Sequence, residues 1–302
     1  MAKVFSPAQN LLDAKRLLVS IISTLTLSFS VNSLASPITD MYVFGDSLSD
    51  TGALNVLAPG ACPPSPYFDC RFSNGPVWVE HLAADLGVSA NTAYAGGTNY
   101  AIGGQRSDQV AFGQVPLFNA NVGGVADPNA LYVIWAGGND FLQNASTGIF
   151  DPITAANNVL FSVLNLAAMG AEDFLVSNLP ILDPWALTFN AALAAGLSSI
   201  GGGLNITQFD AFSLFVDITF NASTYGFTNV SDPCFTGVSL CSNPDEYLFW
   251  DTVHPTAAAH KVVASAALQA LNIRVPEPPI AILLLTGVAA LVVTRRRRSQ
   301  GG

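Results

Sequence analysis

Apolar residues recur along the chain in two rhythms, and the rhythms alternate. Residues 38–44, 131–135 and 173–177 are short, mainly apolar runs rich in β-branched or aromatic residues, leading into Gly45, Ala136-Gly137-Gly138 and Asn178-Leu179-Pro180. Such runs bounded by turn residues predict buried strands. Between and after them, apolar positions at three- and four-residue spacing predict helices over 77–86, 151–169, 185–197 and 206–225, and an alanine-rich helix over 256–271. Pro76 stands at the start of the first of these, and Asp151 is placed to cap the second. Residues 247–250 are again apolar and lead into Asp251-Thr252-Val253-His254-Pro255. Strands alternating with helices predict one α/β domain with a mainly parallel central sheet. The clusters of Gly, Asn, Asp and Ser fall just after predicted strands, where open α/β sheets place their ligands.

The two ends follow neither rhythm. Lys15 and Arg16 precede an apolar run from Leu17 to Val31, and Ser33-Leu34-Ala35 supplies small residues two apart. Residues 1–35 therefore predict a secretory signal peptide. At the other end Ile280 to Val293 is uncharged and Arg295 to Arg298 follow, which predicts a short transmembrane helix with a basic cytoplasmic end. The division expected is a signal at 1–35, a globular domain at 36–274 and a tail at 275–302.

Setting the ends aside changes the charge. Between them nineteen acidic residues face only Arg71, Arg106, Lys261 and Arg274, a formal charge near −15. A surface of that sign excludes nucleic acid as a partner, since phosphates need basic neutralisation. Cys62, Cys70, Cys234 and Cys241 form two close-spaced pairs. In an exported chain these predict two local disulfides rather than a metal site, as no Cys-x-x-Cys occurs. The glycine clusters are not spaced as a phosphate or dinucleotide fingerprint.

Four polar clusters carry the candidate chemistry. Gly45-Asp46-Ser47-Leu48 follows the first strand, and Ser47 there is expected at a sharp strand-to-helix junction with its N–H facing outward. A serine in such a place is as readily a cap as a nucleophile, and Asp46 or Asp50 can equally satisfy helix N-terminal donors. Asn99 to Gly104 offers glycine N–H groups, or simply a turn. Gly137-Gly138-Asn139-Asp140 offers a side-chain amide, or an Asx-turn. Asp251 lies three residues before His254, close enough to accept from the ring Nδ1–H and leave Nε2 as a base. The other two histidines, His81 and His260, lie in helical runs and read as structural. Cleaving an ester with a serine requires a base, an orienter and donors at the developing oxyanion. The chain supplies each once.

The set resembles the GDSL esterase/lipase family of the SGNH hydrolase superfamily. The resemblance rests on Phe44 to Gly52, Asn99 to Gly104, Gly137 to Asp140 and Asp251 to His254, in that order across about residues 40–271. One departure is Ala53, where similar relatives often carry asparagine. The resemblance implies a three-layer α/β/α fold with Ser47 as nucleophile, His254 as general base and then acid, and Asp251 as its orienter. It implies an oxyanion hole from the Ser47 N–H, the Gly103 N–H and the Asn139 side chain, with Gly104 as the alternative to Gly103. No cofactor or metal is implied, and the partner implied is a small-molecule or lipid ester. Polysaccharide O-acetyl ester cleavage is an alternative substrate class, and an inactive surface or matrix binding protein an alternative role. The tail, Pro276-Glu277-Pro278 with an apolar run and four arginines, resembles the bacterial PEP-CTERM sorting signal. That likeness implies processing by an exosortase-type membrane enzyme and delivery to the cell surface or matrix.

Overall fold

The computed structural model describes residues 38–201 and 203–272. The expected signal at 1–35 and the tail from 275 onward lie outside the described residues. Four strands, β1 (Met41–Gly45), β2 (Leu131–Trp135), β3 (Asp173–Ser177) and β4 (Asn205–Phe209), form one sheet in the order β1-β2-β3-β4, all parallel. Every residue of β2 is buried, as its unbroken Leu-Tyr-Val-Ile-Trp run requires of a strand covered on both faces. β4 is the outer strand and is largely exposed or half-buried. A separate two-stranded sheet pairs β5 (Asn229–Pro233) with β6 (Tyr247–Phe249).

Eight helices matter to the layout: α1 (Ala53–Leu57), α2 (Trp78–Leu86), α3 (Val115–Asn121), α4 (Gly138–Thr147), α5 (Pro152–Ala168), α6 (Pro184–Ser199), α7 (Ala211–Phe220) and α8 (Ala257–Ala270). They pack chiefly as two pairs, α5 with α6 and α2 with α8, and flank the sheet. Their starts are written in the sequence. Asp151 accepts from the Thr154 N–H, Asp183 from Trp185 and Thr256 from Ala259.

The chain passes β1 on both sides. Thr98 to Ile102 runs along its outer edge, with the Val43 N–H donating to Thr98 O, Tyr100 N–H to Val43 O and Ile102 N–H to Gly45 O. The chain then crosses to β2 on the inner side. Direction reverses at β1, so a crevice opens at its carboxyl end, the position that favours ligands in such sheets.

Two expectations change. The helix predicted over 206–225 is instead β4, then α7, then a short turn of helix at Ala222–Tyr225. Asn205-Ile206-Thr207-Gln208-Phe209 pairs in register with β3, and Asp210 starts a new helix by accepting from the Ser213 N–H. The transmembrane helix is also corrected. No helix among the described residues is long and apolar enough to cross a membrane. The longest, α5, has 17 residues, against the ~20 apolar residues a bilayer core requires. The run at 280–293 on which that expectation rested lies outside the described residues. The partnership with a membrane and an exosortase-like enzyme through the tail is therefore withdrawn. Both expected disulfides are formed, Cys62–Cys70 and Cys234–Cys241.

Candidate active site

The crevice begins where β1 ends. A side chain on Gly45 would place its Cβ 2.5 Å from the Trp135 carbonyl oxygen, so the close approach of β1 to β2 here admits only glycine. Both backbone groups of Gly45 are satisfied by one buried side chain. The Gly45 N–H donates to Gln114 Oε1 at 2.9 Å, and Gln114 Nε2 donates to Gly45 O at 2.7 Å. Nothing in the sequence pattern marked Gln114.

Ser47 follows in a tight turn rather than at a helix start. The Ser49 N–H donates to Asp46 O at 3.0 Å and the Leu48 N–H to Asp46 Oδ1 at 3.1 Å. Helix α1 starts only after Gly52, which is left-handed. The Ser47 N–H thus sits in a turn and not at the end of a helix dipole. Asp50 is fully buried and accepts three N–H groups, from Gly52 at 2.8 Å, Ala53 at 2.7 Å and Gly103 at 2.8 Å. Asn99, equally buried, donates to Ser49 O and Thr51 Oγ1 and accepts from the Ala101 N–H. The nucleophile turn and the glycine loop are therefore one hydrogen-bonded unit.

On the facing side His254 Nε2 lies 2.9 Å from Ser47 Oγ, and His254 Nδ1 lies 2.8 Å from Asp251 Oδ2. Asp251 Oδ1 accepts from the Val253 and His254 N–H groups, each at 2.8 Å. Burial acts to raise the Asp251 pKa. The hydrogen bonds and charge of His254 and the Tyr67 hydroxyl outweigh it and hold the carboxyl at about 2. An ionised Asp251 only accepts, so Nδ1 carries the ring proton and Nε2 is free to accept from the Ser47 hydroxyl. The Phe72 ring packs against the imidazole, 5.1 Å between centroids.

Of the residues named from the sequence, the structure brings together Ser47, Asp251, His254 and Asn139. Ser47, His254 and Asn139 line one cavity of about 490 Å³, together with Gly104. Asn139 Nδ2 donates to Gln105 O at 3.0 Å, and the same side chain interacts with the Asp46 carboxyl. Gly103 is placed differently from expectation. Its N–H is committed to Asp50, and a Cβ there would meet the Phe72 ring at 2.2 Å. Gly104 faces the cavity in its place, and neither its N–H nor that of Ser47 donates to another described group.

The cavity walls are apolar. Phe141, Leu142, Ile181, Leu182, Phe215 and Phe249 supply much of the surface, and no Lys or Arg is among the lining residues described. Asp46 also lines the cavity, and burial above all raises its pKa to about 6. His260 stays apart from the chemistry: it is buried in α8, its Nδ1 accepts from the Trp78 N–H at 3.2 Å, and burial lowers its pKa to about 3. Among the described residues no cluster of His, Cys, Asp and Glu is arranged to hold a metal ion.

A serine hydrogen-bonded to a carboxylate-backed imidazole, beside free N–H donors, is the arrangement of a serine hydrolase. The chain belongs to the GDSL-like lipase/acylhydrolase family, whose sequence profile matches residues 41–267. It is similar to the thermolabile hemolysin of Vibrio parahaemolyticus, at 27% identity over 78% of this chain and 64% of that protein. It is similar to the esterase EstA of Pseudomonas aeruginosa, at 29% identity over 82% of this chain and 49% of that protein. A phosphatidylcholine-sterol acyltransferase of Aeromonas hydrophila is 26% identical over 74% of this chain and 88% of its own length. Against the first two, the chain spans only about half to two thirds of the relative.

Proposed function

We propose that this protein is an exported serine ester hydrolase that acts through an acyl-enzyme on neutral esters with an apolar acyl group. The observation that carries the reading is the chain of two hydrogen bonds, Ser47–His254 at 2.9 Å and His254–Asp251 at 2.8 Å, at the mouth of an apolar cavity. Ser47 Oγ attacks the ester carbonyl as its proton passes to His254 Nε2. The carbonyl oxygen becomes negative facing the Ser47 N–H, the Gly104 N–H and the Asn139 amide. His254 then protonates the departing alcohol, and the acyl group remains on Ser47. Water, activated by the same imidazole, attacks the acyl carbon and releases the acid and the free serine. Asp251 keeps the ring in the required tautomer and balances the imidazolium.

Apolar walls without a cation favour an acyl chain over a polysaccharide or an anionic substrate. The chain's similarity to a named esterase and a named acyltransferase supports ester chemistry. Two disulfides support an oxidising compartment, and residues 1–35 are read as the leader that delivers the domain at 36–274 there. The stretch from 275 onward is read as a tail separate from that domain.

The test is turnover of p-nitrophenyl esters from acetate to palmitate by the full chain and by Ser47→Ala. The expected outcome is a loss of about 10⁴-fold or more in kcat for the variant, with longer acyl chains preferred. Equal turnover by both proteins would remove Ser47 from the mechanism.

A further inference from the structure

Outside the cavity lining, Tyr67 reaches the Asp251 carboxylate and two further aromatic rings pack on Tyr67. Tyr67 Oη–H donates to Asp251 Oδ2 at 2.7 Å, the same oxygen that accepts from His254 Nδ1. The Tyr67 ring is held edge-on by Phe235 at 5.8 Å and by Trp250 at 5.9 Å, and those two stack on each other at 5.6 Å. Burial, together with the bond to Asp251, raises the Tyr67 pKa, so the phenol stays protonated and remains a donor. The rings are fixed by covalent loops. Tyr67 lies within the loop closed by Cys62–Cys70, and Phe235 within the loop closed by Cys234–Cys241. The second loop is joined to the histidine strand: the Cys234 N–H donates to Phe249 O and the Phe235 N–H to Trp250 O. The Trp250 N–H in turn donates to His254 O at 2.7 Å.

We infer that Tyr67 is a positioning residue of the proposed serine hydrolase: it acts through Asp251 to fix the carboxylate against His254, and the two disulfide loops hold it in place. The inference rests on the reading of Ser47, His254 and Asp251 as a relay, but uses residues that reading does not require. A carboxylate oxygen with one partner leaves that donor free to shift between two lone-pair directions and the group freer to turn about its Cβ–Cγ bond. A second donor at 2.7 Å pins Oδ2, while Oδ1 is pinned by the Val253 and His254 N–H groups. The carboxylate plane is then set on both sides, and the imidazole with it. Tyr67 is not among the residues lining the cavity, so it has no route to the bound ester except through Asp251.

Tyr67→Phe deletes the donor and keeps the ring that packs on Phe235 and Trp250. In the full chain we expect kcat to fall about tenfold, with KM within twofold of wild type. The Nδ1–H proton of His254, observed by NMR far downfield in the free protein, should shift, because one of the two donors on Oδ2 is gone. That measurement needs no substrate. An unshifted Nδ1–H resonance with kcat within twofold of wild type would overturn the inference. So would a rise in KM at constant kcat, which would put Tyr67 in substrate binding. Ser47→Ala separates the two proposals. If it keeps full turnover, the serine reading fails; if it is dead while Tyr67→Phe matches wild type in both readouts, only the Tyr67 role fails.

Discussion

The nucleophile turn and the histidine loop meet at a single hydrogen bond, yet they are held by different means. The turn from Gly45 to Gly52 is fixed by buried polar side chains: Asp50, Asn99 and Gln114 are almost wholly excluded from solvent and each binds two or more partners. The loop from Trp250 to His254 makes its own hydrogen bonds and is backed in addition by aromatic rings and two disulfide loops. The first device depends on complete pairing in a low dielectric, where every lost partner strands a desolvated group. The second depends on ring packing and covalent closure, which tolerate the loss of a single hydrogen bond more readily. Disruption of the supports of the two sides should therefore leave different signatures: lost folding where Asp50, Asn99 or Gln114 is removed, lost rate on the histidine side.

The largest effect expected on the histidine side is His254→Ala, which should reduce kcat by about 10⁴-fold or more while the unfolding midpoint in urea hardly moves. Asn139→Ala, in α4 and so on neither side, comes next, with an expected loss of about 10²–10³ in kcat from the removal of one oxyanion donor. Its KM should hold steady, since the developing charge exists only in the transition state. On the nucleophile side, Asp50→Ala strands the N–H groups of Gly52, Ala53 and Gly103. It should cost about 3–5 kcal/mol of stability by equilibrium urea unfolding. If it unfolds no more easily than wild type, the contrast between the two sides is wrong.

The smallest effect is a slope. Asp46 has a folded pKa raised to about 6 from an ordinary value of 3.8, chiefly by burial. The folded protein therefore binds this proton more tightly than the unfolded chain. Its contribution to stability is present below the ordinary value and falls away as pH rises through about 6. Asp46→Asn keeps an acceptor for the Leu48 N–H and removes the titration. Wild type should lose about 1–3 kcal/mol relative to the variant between pH 4 and 7, followed by urea midpoints.

Legibility in the sequence follows the same division. Strand β2 was readable because burial on both faces leaves an unbroken apolar run. Strand β4 was not, because it is an outer strand whose Ile-Thr-Gln-Phe runs almost directly into the apolar helix α7, with only Asp210 between them. Ser47, Asp251 and His254 could be named because their short clusters, ambiguous one by one, stand in the order that resembles the GDSL family. The choice between Gly103 and Gly104 was out of reach, since it turns on where Asp50 and Phe72 come to rest. Tyr67 had no local signal at all: its partner Asp251 is 184 positions away, and the contact exists only once the folded loops converge.

The cavity wall has a consequence for how this protein can change its preferences. Leu179-Pro180-Ile181-Leu182 forms one continuous side of it, directly after β3. The stretch is anchored at its base, where Asn190 accepts from the Leu179 N–H and donates to the Leu179 carbonyl. None of the hydrogen bonds linking Ser47, His254, Asp251 and Tyr67 passes through it. This side of the cavity and the Ser47–His254–Asp251 hydrogen-bond chain are thus carried by separate pieces of chain. Exchange of residues 180–182, with Asn190 retained, would reshape this wall of the cavity without touching the hydrogen bonds that join Ser47, His254 and Asp251.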